Sequence, residues 1–456
     1  MTAAAEDGLD RWLEAQARAS REAMRLSVSP ENFRHERAEF GQQIVAAPGS
    51  VVASRHRARW DPMPDYAWHW VRDAAVVMRL APMLAVREPS SWQERMRDHA
   101  AFSLRIATQP GPAANPLRAT TLPRFRRFLR PDAELAALAG PVLLGEPRAN
   151  LDGSVDAERW SRPQHDGPAL RALSFMAMGA ARGVAGDRLL ALDLAYTVAQ
   201  AAAPCVGPWE EEGENGLHAF TLMAQRAALR AACDSGVLTE AATQAPLARI
   251  EAALGGLADP ASGVIRASSI AAPGASDAAV ILGALIAGDW GDAFGPADPR
   301  LLATAAWLVE WSARRFPVWS AAFPVIGRGP ADRFFGGNPW IPTTLGMAEF
   351  HFALAGSVLT GQALPADASR SLGAFLGDDA AARSGDRGAA AARIVIEGER
   401  YLAAVRHHAP PDGRLPEQID GTTGAPASCP DLTWSHAALI SAVESRRTVR
   451  ARLAGG

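Results

Sequence analysis

Apolar residues recur along this chain at spacings of three and four, the period of a helix with one buried face. Strict strand-type alternation is almost absent. The pattern predicts twelve helices, over residues 7–25, 69–86, 91–108, 167–184, 187–203, 216–235, 240–255, 277–289, 299–315, 339–356, 389–408 and 431–446. Ala- and Leu-rich stretches broken by Gly and Pro suit helices packed on several sides. Long polar or Gly/Pro-rich connections after alternate helices predict paired helices arranged in a two-layer ring. A chain of 456 residues would ordinarily divide into two or three domains, but a closed ring absorbs that length as one domain spanning 1–456. Such a ring leaves one rim of loops for function.

Those loops carry an unusual chemistry. Residues 57–70 (RARWDPMPDYAWHW), 159–167 (RWSRPQHDG), 206–216 (VGPWEEEGENG), 326–340 (IGRGPADRFFGGNPW) and 412–424 (DGRLPEQIDGTTG) combine charge and Pro, and the first four also carry Trp or Tyr. A solvated loop needs polar residues but not tryptophans. Indole faces stack on the apolar faces of pyranose rings, while Asp, Arg and Gln take up hydroxyls. Together the loops point toward a sugar. Two other segments differ: PRFRRFLRP within 109–142 reads as a self-packed, solvated loop with an anion site as the alternative, and 376–391 reads as a surface connection. The last predicted helix ends about ten residues from the end of the chain, so no appended carbohydrate-binding module is expected.

Composition narrows the chemistry. The chain has no lysine, so all 46 basic residues are Arg, which removes Schiff-base, pyridoxal-phosphate and P-loop chemistry. A net charge of -3 gives no reason to expect nucleic acid or an anionic membrane as partner. Three scattered cysteines exclude a disulfide framework and a CxxC metal site. The ten His form no HExxH pattern, and His407-His408 on one helix cannot both face one ion, so neither metal nor cofactor is expected. The first residues are acidic and then amphipathic, with no apolar h-region, and no run approaches eighteen apolar residues. A cytoplasmic location is therefore the expectation, a removed leader aside.

Hydrolysing a glycosidic bond takes one protonated and one ionised carboxyl. Glu210, Glu211 and Glu212 follow Trp209, with Glu214 nearby, in a stretch read as a helix start. Acids at a helix N-terminus have an ordinary structural reason in the macrodipole. Like charges screened by Trp would instead raise one carboxyl pKa, as a general acid requires. Glu417 lies in Leu415-Pro416-Glu417-Gln418, near Asp412 and Asp420, and could equally be a surface loop acid. Arg72-Asp73 at the start of a helix, and Arg328 with Asp332, could each donate to and accept from vicinal hydroxyls or simply form local ion pairs.

With these residues in view, the chain resembles the glucoamylases, glycoside hydrolase family fifteen, from about residue 48 to 447. The motifs follow the family's order: VVAS at 51–54, PDY…W.RD at 64–73, LGEPRANLD at 144–152, W-S-RPQHDGPALRA at 160–172, WEE at 209–211, GR-G-PAD-R-FFGGNPW at 327–340, PEQID at 416–420 and DLTWSHAAL at 431–439. The resemblance implies an all-α (α/α)6 barrel of about twelve helices with the active site in loops at one rim. It also implies a single glucoamylase-like catalytic domain and inverting, exo-acting release of β-D-glucose from non-reducing ends of α-glucosides. It makes Glu210 the general acid, Glu417 the general base and Ser428 the residue that orients the base. Arg72, Asp73 and Arg328 match the clamp on the terminal glucose, and Tyr66 and Trp70 the aromatic wall beneath it. Trp160 matches the tryptophan over the acid, Trp209 opens its motif, and Glu211 matches the contact to the second sugar. Asp332, Trp340 and Trp434 match positions lining or buttressing the pocket. Asp166 and Arg171 belong to the RPQHDGPALR stretch, where helix packing is at least as good a reading as sugar contact.

Departures from the family cluster on the leaving-group side. Gly207 and Pro208 replace Asp-Leu before Trp209, two extra residues precede Phe220-Thr221, Gly329 replaces a frequent aromatic beside the clamp arginine, and Trp68 stands where Tyr is common. The partner expected is a small or oligomeric carbohydrate, with oligomeric state open. Alternatives are an inverting hydrolase of isomaltose-, trehalose- or dextran-type linkages, and a non-catalytic glycan sensor on the same barrel.

Overall fold

The structure is a computed structural model that describes residues 3–56, 64–211, 213–288, 293–320, 323–360, 375 and 386–455. Each of the twelve stretches predicted as helical contains helix among them, one of them as two helices, along with shorter elements. In chain order the helices are α1 (Ala3–Ser27), α2 (Val71–Met78), α3 (Ala81–Ala85), α4 (Pro89–Thr108), α5 (Asp132–Ala136), α6 (Asp166–Met178), α7 (Gly183–Ala199), α8 (Ala219–Asp234), α9 (Glu240–Leu257), α10 (Ala278–Ala287), α11 (Pro299–Arg315), α12 (Pro317–Ser320), α13 (Ile341–Leu359), α14 (Arg387–His408) and α15 (Thr433–Gly455). Strands among the described residues are short pairs: β1 (Arg34–Arg37) with β2 (Gln42–Val45), β3 (His69–Trp70) with β4 (Arg148–Ala149), and β5 (Gln418–Ile419) with β6 (Pro426–Ala427), each antiparallel.

Local chemistry explains many of the boundaries. Side chains of Asp277, Asp298 and Asp386 accept from the first backbone N–H groups of α10, α11 and α14, as N-caps do. The α10 sequence AAVILGALIA is apolar on all sides, and its first nine residues are buried; the helix stops at Gly288, whose left-handed φ of 67° suits glycine. The stretch read as one helix over 69–86 is two, α2 and α3, broken at Arg79–Leu80. The helix expected over 167–184 ends at Met178, followed by a 3-10 turn over Gly179–Arg182.

The chain forms two compact units, Ala23–Glu251 and the combination of Met1–Glu22 with Ala252–Gly456. In the first, α6 packs against α2, α7 and α8, and α4 against α7. Buried Arg171 bonds both oxygens of Asp193, at 2.8 and 2.7 Å, tying α6 to α7; the packing reading of Arg171 holds. In the second, α13 is the core, packed against α10, α14 and α15. A Cβ at Gly398 would lie 2.7 Å from the Phe352 ring, so glycine is what lets α14 approach α13 this closely.

The Arg-Phe segment contains a 3-10 helix, Pro123–Phe128, with Arg124 and Arg127 packed over the rings of Phe125 and Phe128 at 5.0 and 4.8 Å. Of the stretch 376–391 read as a surface connection, 387–391 belong to α14 and 376–385 lie outside the described residues. No helix among the described residues is long and apolar enough to cross a membrane.

Candidate active site

Around Glu210 the site is built from loops of the Ala23–Glu251 unit. The pairing of β3 with β4 sets Trp70 opposite Arg148, and α2 begins at the next residue, placing Arg72 and Asp73 in its first turn. Tyr66 and Trp160 pack edge-on against Trp70, with ring centroids 5.5 and 6.3 Å away. The Arg148 guanidinium lies over Trp68 at 3.9 Å and over Trp160 at 3.7 Å, while its Nε donates to Asp156 at 2.9 Å. Stacking of this kind stiffens an aromatic wall through cation–π attraction. The structure therefore brings Tyr66, Trp70, Arg72, Asp73 and Trp160 together, as the motifs imply.

Glu210 itself departs from expectation in one respect. It does not open a helix: α8 begins only at Ala219, and Glu210 sits in a turn at φ 59°, a left-handed conformation that costs a non-glycine residue energy. A helix macrodipole therefore does not explain the acidic run. The turn is held by Ser161 Oγ, which donates to the Glu210 carbonyl at 3.0 Å. Trp70 Nε1 and Trp160 Nε1 donate to Oε2 at 2.9 and 2.5 Å, and Arg72 Nη2 and Gln164 Nε2 to Oε1 at 3.1 and 3.2 Å. Four donors on two oxygens fill the acceptor capacity of an ionised carboxylate. Trp209 is half-buried and Glu211 exposed on the same turn, and Glu212 lies outside the described residues.

The electrostatics of this cluster are crowded. Arg72 Nη2 also lies 3.2 Å from Asp73 Oδ2. Burial pushes the Asp73 carboxyl up to about 6, against the pull of Arg72 and with the help of Glu210. Asp166, in the first turn of α6, is likewise pushed up to about 6 by burial, opposed by Arg72 and reinforced by Glu210 and Asp73. Burial acts to lower the pKa of Arg72, but Asp73, Glu210 and Asp166 outweigh it and hold the guanidinium charged.

Glu417 belongs to the other unit, and its backbone is bonded on both sides. Its N–H donates to the Cys429 carbonyl at 2.8 Å, and its carbonyl accepts from Ile341 N–H at 2.9 Å, at the start of α13. The side chain is only 2 % exposed at residue level, so the surface-loop reading fails. Ser428 Oγ donates to Glu417 Oε2 in a short contact, and Ser428 is itself held at φ 58°. The bridge from Trp340 to Gln418 and that from Gly327 to Pro339 bring the loop of Arg328 alongside the glutamate. Arg328 pairs with Asp332 at 3.4 Å and lies 5.2 Å from the Trp340 ring. Burial raises the Asp332 carboxyl against the effect of Arg328. Trp434 is buried in the first turn of α15, next to Ser435, whose Oγ donates to the Pro416 carbonyl at 2.8 Å.

Three residues in this architecture were not singled out from sequence: Gln164, Ser161 and Arg148. All lie inside motifs that were, RPQHDGPALRA with its preceding Trp-Ser and LGEPRANLD, but nothing in a string shows which polar residue of a motif turns inward. Two of the family departures, Gly329 and Gly207, are places of close approach. A Cβ at Gly329 would lie 2.7 Å from Asp277 Cβ, and one at Gly207 would lie 2.5 Å from the His218 ring. Among the described residues no group of three or more His, Cys, Asp or Glu could hold a metal ion.

A mainly helical framework whose loops set carboxyls among indoles and arginines suits a glycoside hydrolase, and the comparisons with known proteins show that class. Residues 132–444 match the family model of the glycosyl hydrolases family 15, and the chain belongs to that family. It is 28 % identical to glucoamylase 1 of Rhizopus oryzae, over 94 % of this chain and 70 % of that protein. To the glucoamylase of Blastobotrys adeninivorans it is 25 % identical, over 89 % and 68 %. In structure it is similar to the glucoamylase of Saccharomycopsis fibuligera, with a TM-score of 0.77, 22 % identity and coverage of 97 % of this chain and 96 % of that one. The Hormoconis resinae glucoamylase gives 0.74, 24 %, 96 % and 74 %. The fold is the (α/α)6 barrel of these enzymes.

Proposed function

We propose that this protein is an inverting exo-glycosidase that releases β-D-glucose from the non-reducing ends of malto-oligosaccharides or related α-glucans. The observation that carries the reading is the carboxylate of Glu210, on which two indoles, an arginine and a glutamine of the family's motifs converge. Glu210 acts as general acid and gives its proton to the glycosidic oxygen as the C1–O bond breaks. Glu417, aligned by Ser428, takes a proton from water as that water attacks C1 from the opposite face. The product is the β-anomer, and proton exchange with solvent restores both carboxyls. Arg72, Asp73 and Arg328 clamp the terminal glucose above the wall of Tyr66 and Trp70. Trp160 covers the acid and Glu211 meets the second sugar, with Trp209 beside it. Asp332, Trp340 and Trp434 line or support the pocket. In an inverting enzyme the two carboxyls stand about 6.5–9.5 Å apart, leaving room for the water.

Glu210→Gln and Glu417→Gln should each lower kcat on maltose by about 10²–10⁴-fold while leaving the fold intact. Proton NMR of the first product should show β-glucose; an initial α-anomer would refute inversion. Glucose release from a panel of α-linked disaccharides separates maltose from isomaltose and trehalose as preferred substrate. A glycan sensor would release none.

A further inference from the structure

Arg148 takes no part in the hydrolysis as proposed, yet it is 2 % exposed and stands against the residues that hold the acid. It lies opposite Trp70 in the ladder of β3 with β4. Its guanidinium is flat, and two rings this close to one carbon fit only on opposite faces: Trp68 at 3.9 Å on one and Trp160 at 3.7 Å on the other. Trp68 also carries the guanidinium of Arg37 at 4.1 Å, on the face that Arg148 leaves. The result is a stack of four layers: Arg37, Trp68, Arg148 and Trp160. Both cations are anchored from outside it. Arg37 donates to Glu158 in a short contact and to Asn150 Oδ1 at 2.8 Å, and Arg148 Nε donates to Asp156 at 2.9 Å. Asp156, fully buried, also accepts from Arg162 Nη2 at 2.7 Å. Trp attracts a cation more strongly than Tyr or Phe. Trp68, which stands where the family commonly has Tyr, therefore suits the middle of such a stack.

Trp160 ends the stack and meets the acid. Its carbonyl accepts from Arg162 Nη1 at 2.9 Å, and its Nε1 donates to Glu210 Oε2 at 2.5 Å. With the backbone tied, what is left to fix is the rotation of the indole about its side-chain bonds. The ring is half-buried, and Trp70 meets it edge-on at 6.3 Å. The face laid on Arg148 sets the plane of the ring, and the N–H lies in that plane. Turning the ring off Arg148 would carry the N–H away from Glu210. Proton transfer needs the acid within hydrogen-bond reach of the glycosidic oxygen, so a carboxyl free to turn transfers its proton more slowly.

We propose that Arg148 is a positioning residue that acts through Trp160: clamped between two indoles, it aims the Trp160 N–H and so fixes the carboxyl of Glu210 for proton transfer. The proposal rests on the reading of Glu210 as general acid. Its test is kcat and KM of Arg148→Lys on maltose and on α-glucosyl fluoride, whose leaving group needs no proton, in the parent and in a Trp160→Phe background. Lysine keeps the charge beside Asp156 but has no plane to hold two rings. Phenylalanine keeps a ring over Arg148 but has no N–H. Arg148→Lys should lower kcat on maltose by about 10–10²-fold with little change in KM, and should leave the rate on the fluoride near that of the parent. In Trp160→Phe, already slowed, it should add no further loss on maltose. Trp68→Leu leaves the ion pairs of Arg148 in place and should give a smaller loss of the same kind, and Trp68→Tyr should keep most of the rate; this pair serves if Arg148→Lys does not fold. Equal losses on maltose and the fluoride, a full further loss in the Trp160→Phe background, or no loss on maltose in folded Arg148→Lys overturns the proposal alone. If Glu210→Gln is as impaired on the fluoride as on maltose, Glu210 is not the acid, and the proposal falls with it.

Discussion

Glu210 and Glu417 are both buried carboxylates in loops, and the protein handles them in opposite ways. Glu210 is held through its side chain, by four donors from two segments of chain, inside a set of charges that includes Arg72, Asp73 and Asp166. Glu417 is tied in through its backbone, by ladder bonds to Cys429 and Ile341, and Ser428 donates to its side chain. A group that must gain and lose a proton against a leaving oxygen needs its charge controlled. A group that must hold a water in line needs its position controlled. Both glutamate regions also store backbone strain of the same kind, at φ 59° for Glu210 and φ 58° for Ser428. Strain of this sort persists only where the surroundings enforce it.

The sharpest way to break this comparison is to make the acid unnecessary. With α-glucosyl fluoride, Glu210→Gln should recover most of its lost turnover, whereas Glu417→Gln should remain about 10²–10⁴-fold impaired. Steady-state kcat for both variants on maltose and on the fluoride gives the answer. Equal rescue of both, or of neither, would mean that the two carboxylates do not divide the work as their surroundings suggest.

A second effect, on stability, follows from the difference in charge. Replacing Arg72 by Met removes the cation shared by three buried carboxyls, while Arg328→Met deprives Asp332 of its partner at 3.4 Å. Leaving buried charge without compensation costs about 3–5 kcal/mol, and Arg72→Met should lose that much in denaturant unfolding. Arg328→Met should lose less, about 1–3 kcal/mol. The gap should narrow as the pH falls toward about 6: without Arg72, whose pull lowers both, Asp73 and Asp166 take up their protons above that value and no longer need a partner. The sign follows from linkage: the folded state holds these protons at higher pH than the unfolded chain does, so acid relieves the variant.

How much of this could be read from the string depends on the kind of information. The helices were legible because burial of one face leaves a period of three to four, and α11 falls on residues 299–315 as read. The convergence of Tyr66, Trp70, Arg72, Asp73 and Trp160 was legible through ordered motifs rather than through physics. What stayed hidden was conformational. Nothing in WEE announces a left-handed turn instead of a helix start, because acids suit both. Gln164 was hidden for another reason. It stands among Arg162, His165 and Asp166, and which of these neighbours faces the glutamate depends on backbone direction that only folding decides. The charge shared by Asp73, Asp166 and Glu210 is likewise a tertiary property, assembled from α2, α6 and a loop.

The smallest effect separates the two loops by what stands behind them. Both family departures that remove a side chain, Gly207 and Gly329, are places of close approach, yet the obstacles differ. A methyl group at Gly207 meets the far end of a side chain, the His218 ring at 2.5 Å, which can rotate away at modest cost. At Gly329 it meets Asp277 Cβ at 2.7 Å and the Ser276 carbonyl at 3.2 Å, atoms that belong to the backbone and cap of α10 and cannot swing. Gly329→Ala should therefore destabilise by about 1–3 kcal/mol, the range for inserting a methyl into a packed site, and should raise KM for maltose by displacing Arg328. Gly207→Ala should stay near the lower end of that range and act on kcat, through the turn that carries Glu210. Unfolding midpoints and the split between KM and kcat measure both. If Gly207→Ala proved the more costly in stability, the turn around Glu210 would be the more rigid of the two, and the contrast between a site tuned by charge and one fixed by backbone would have to be reversed.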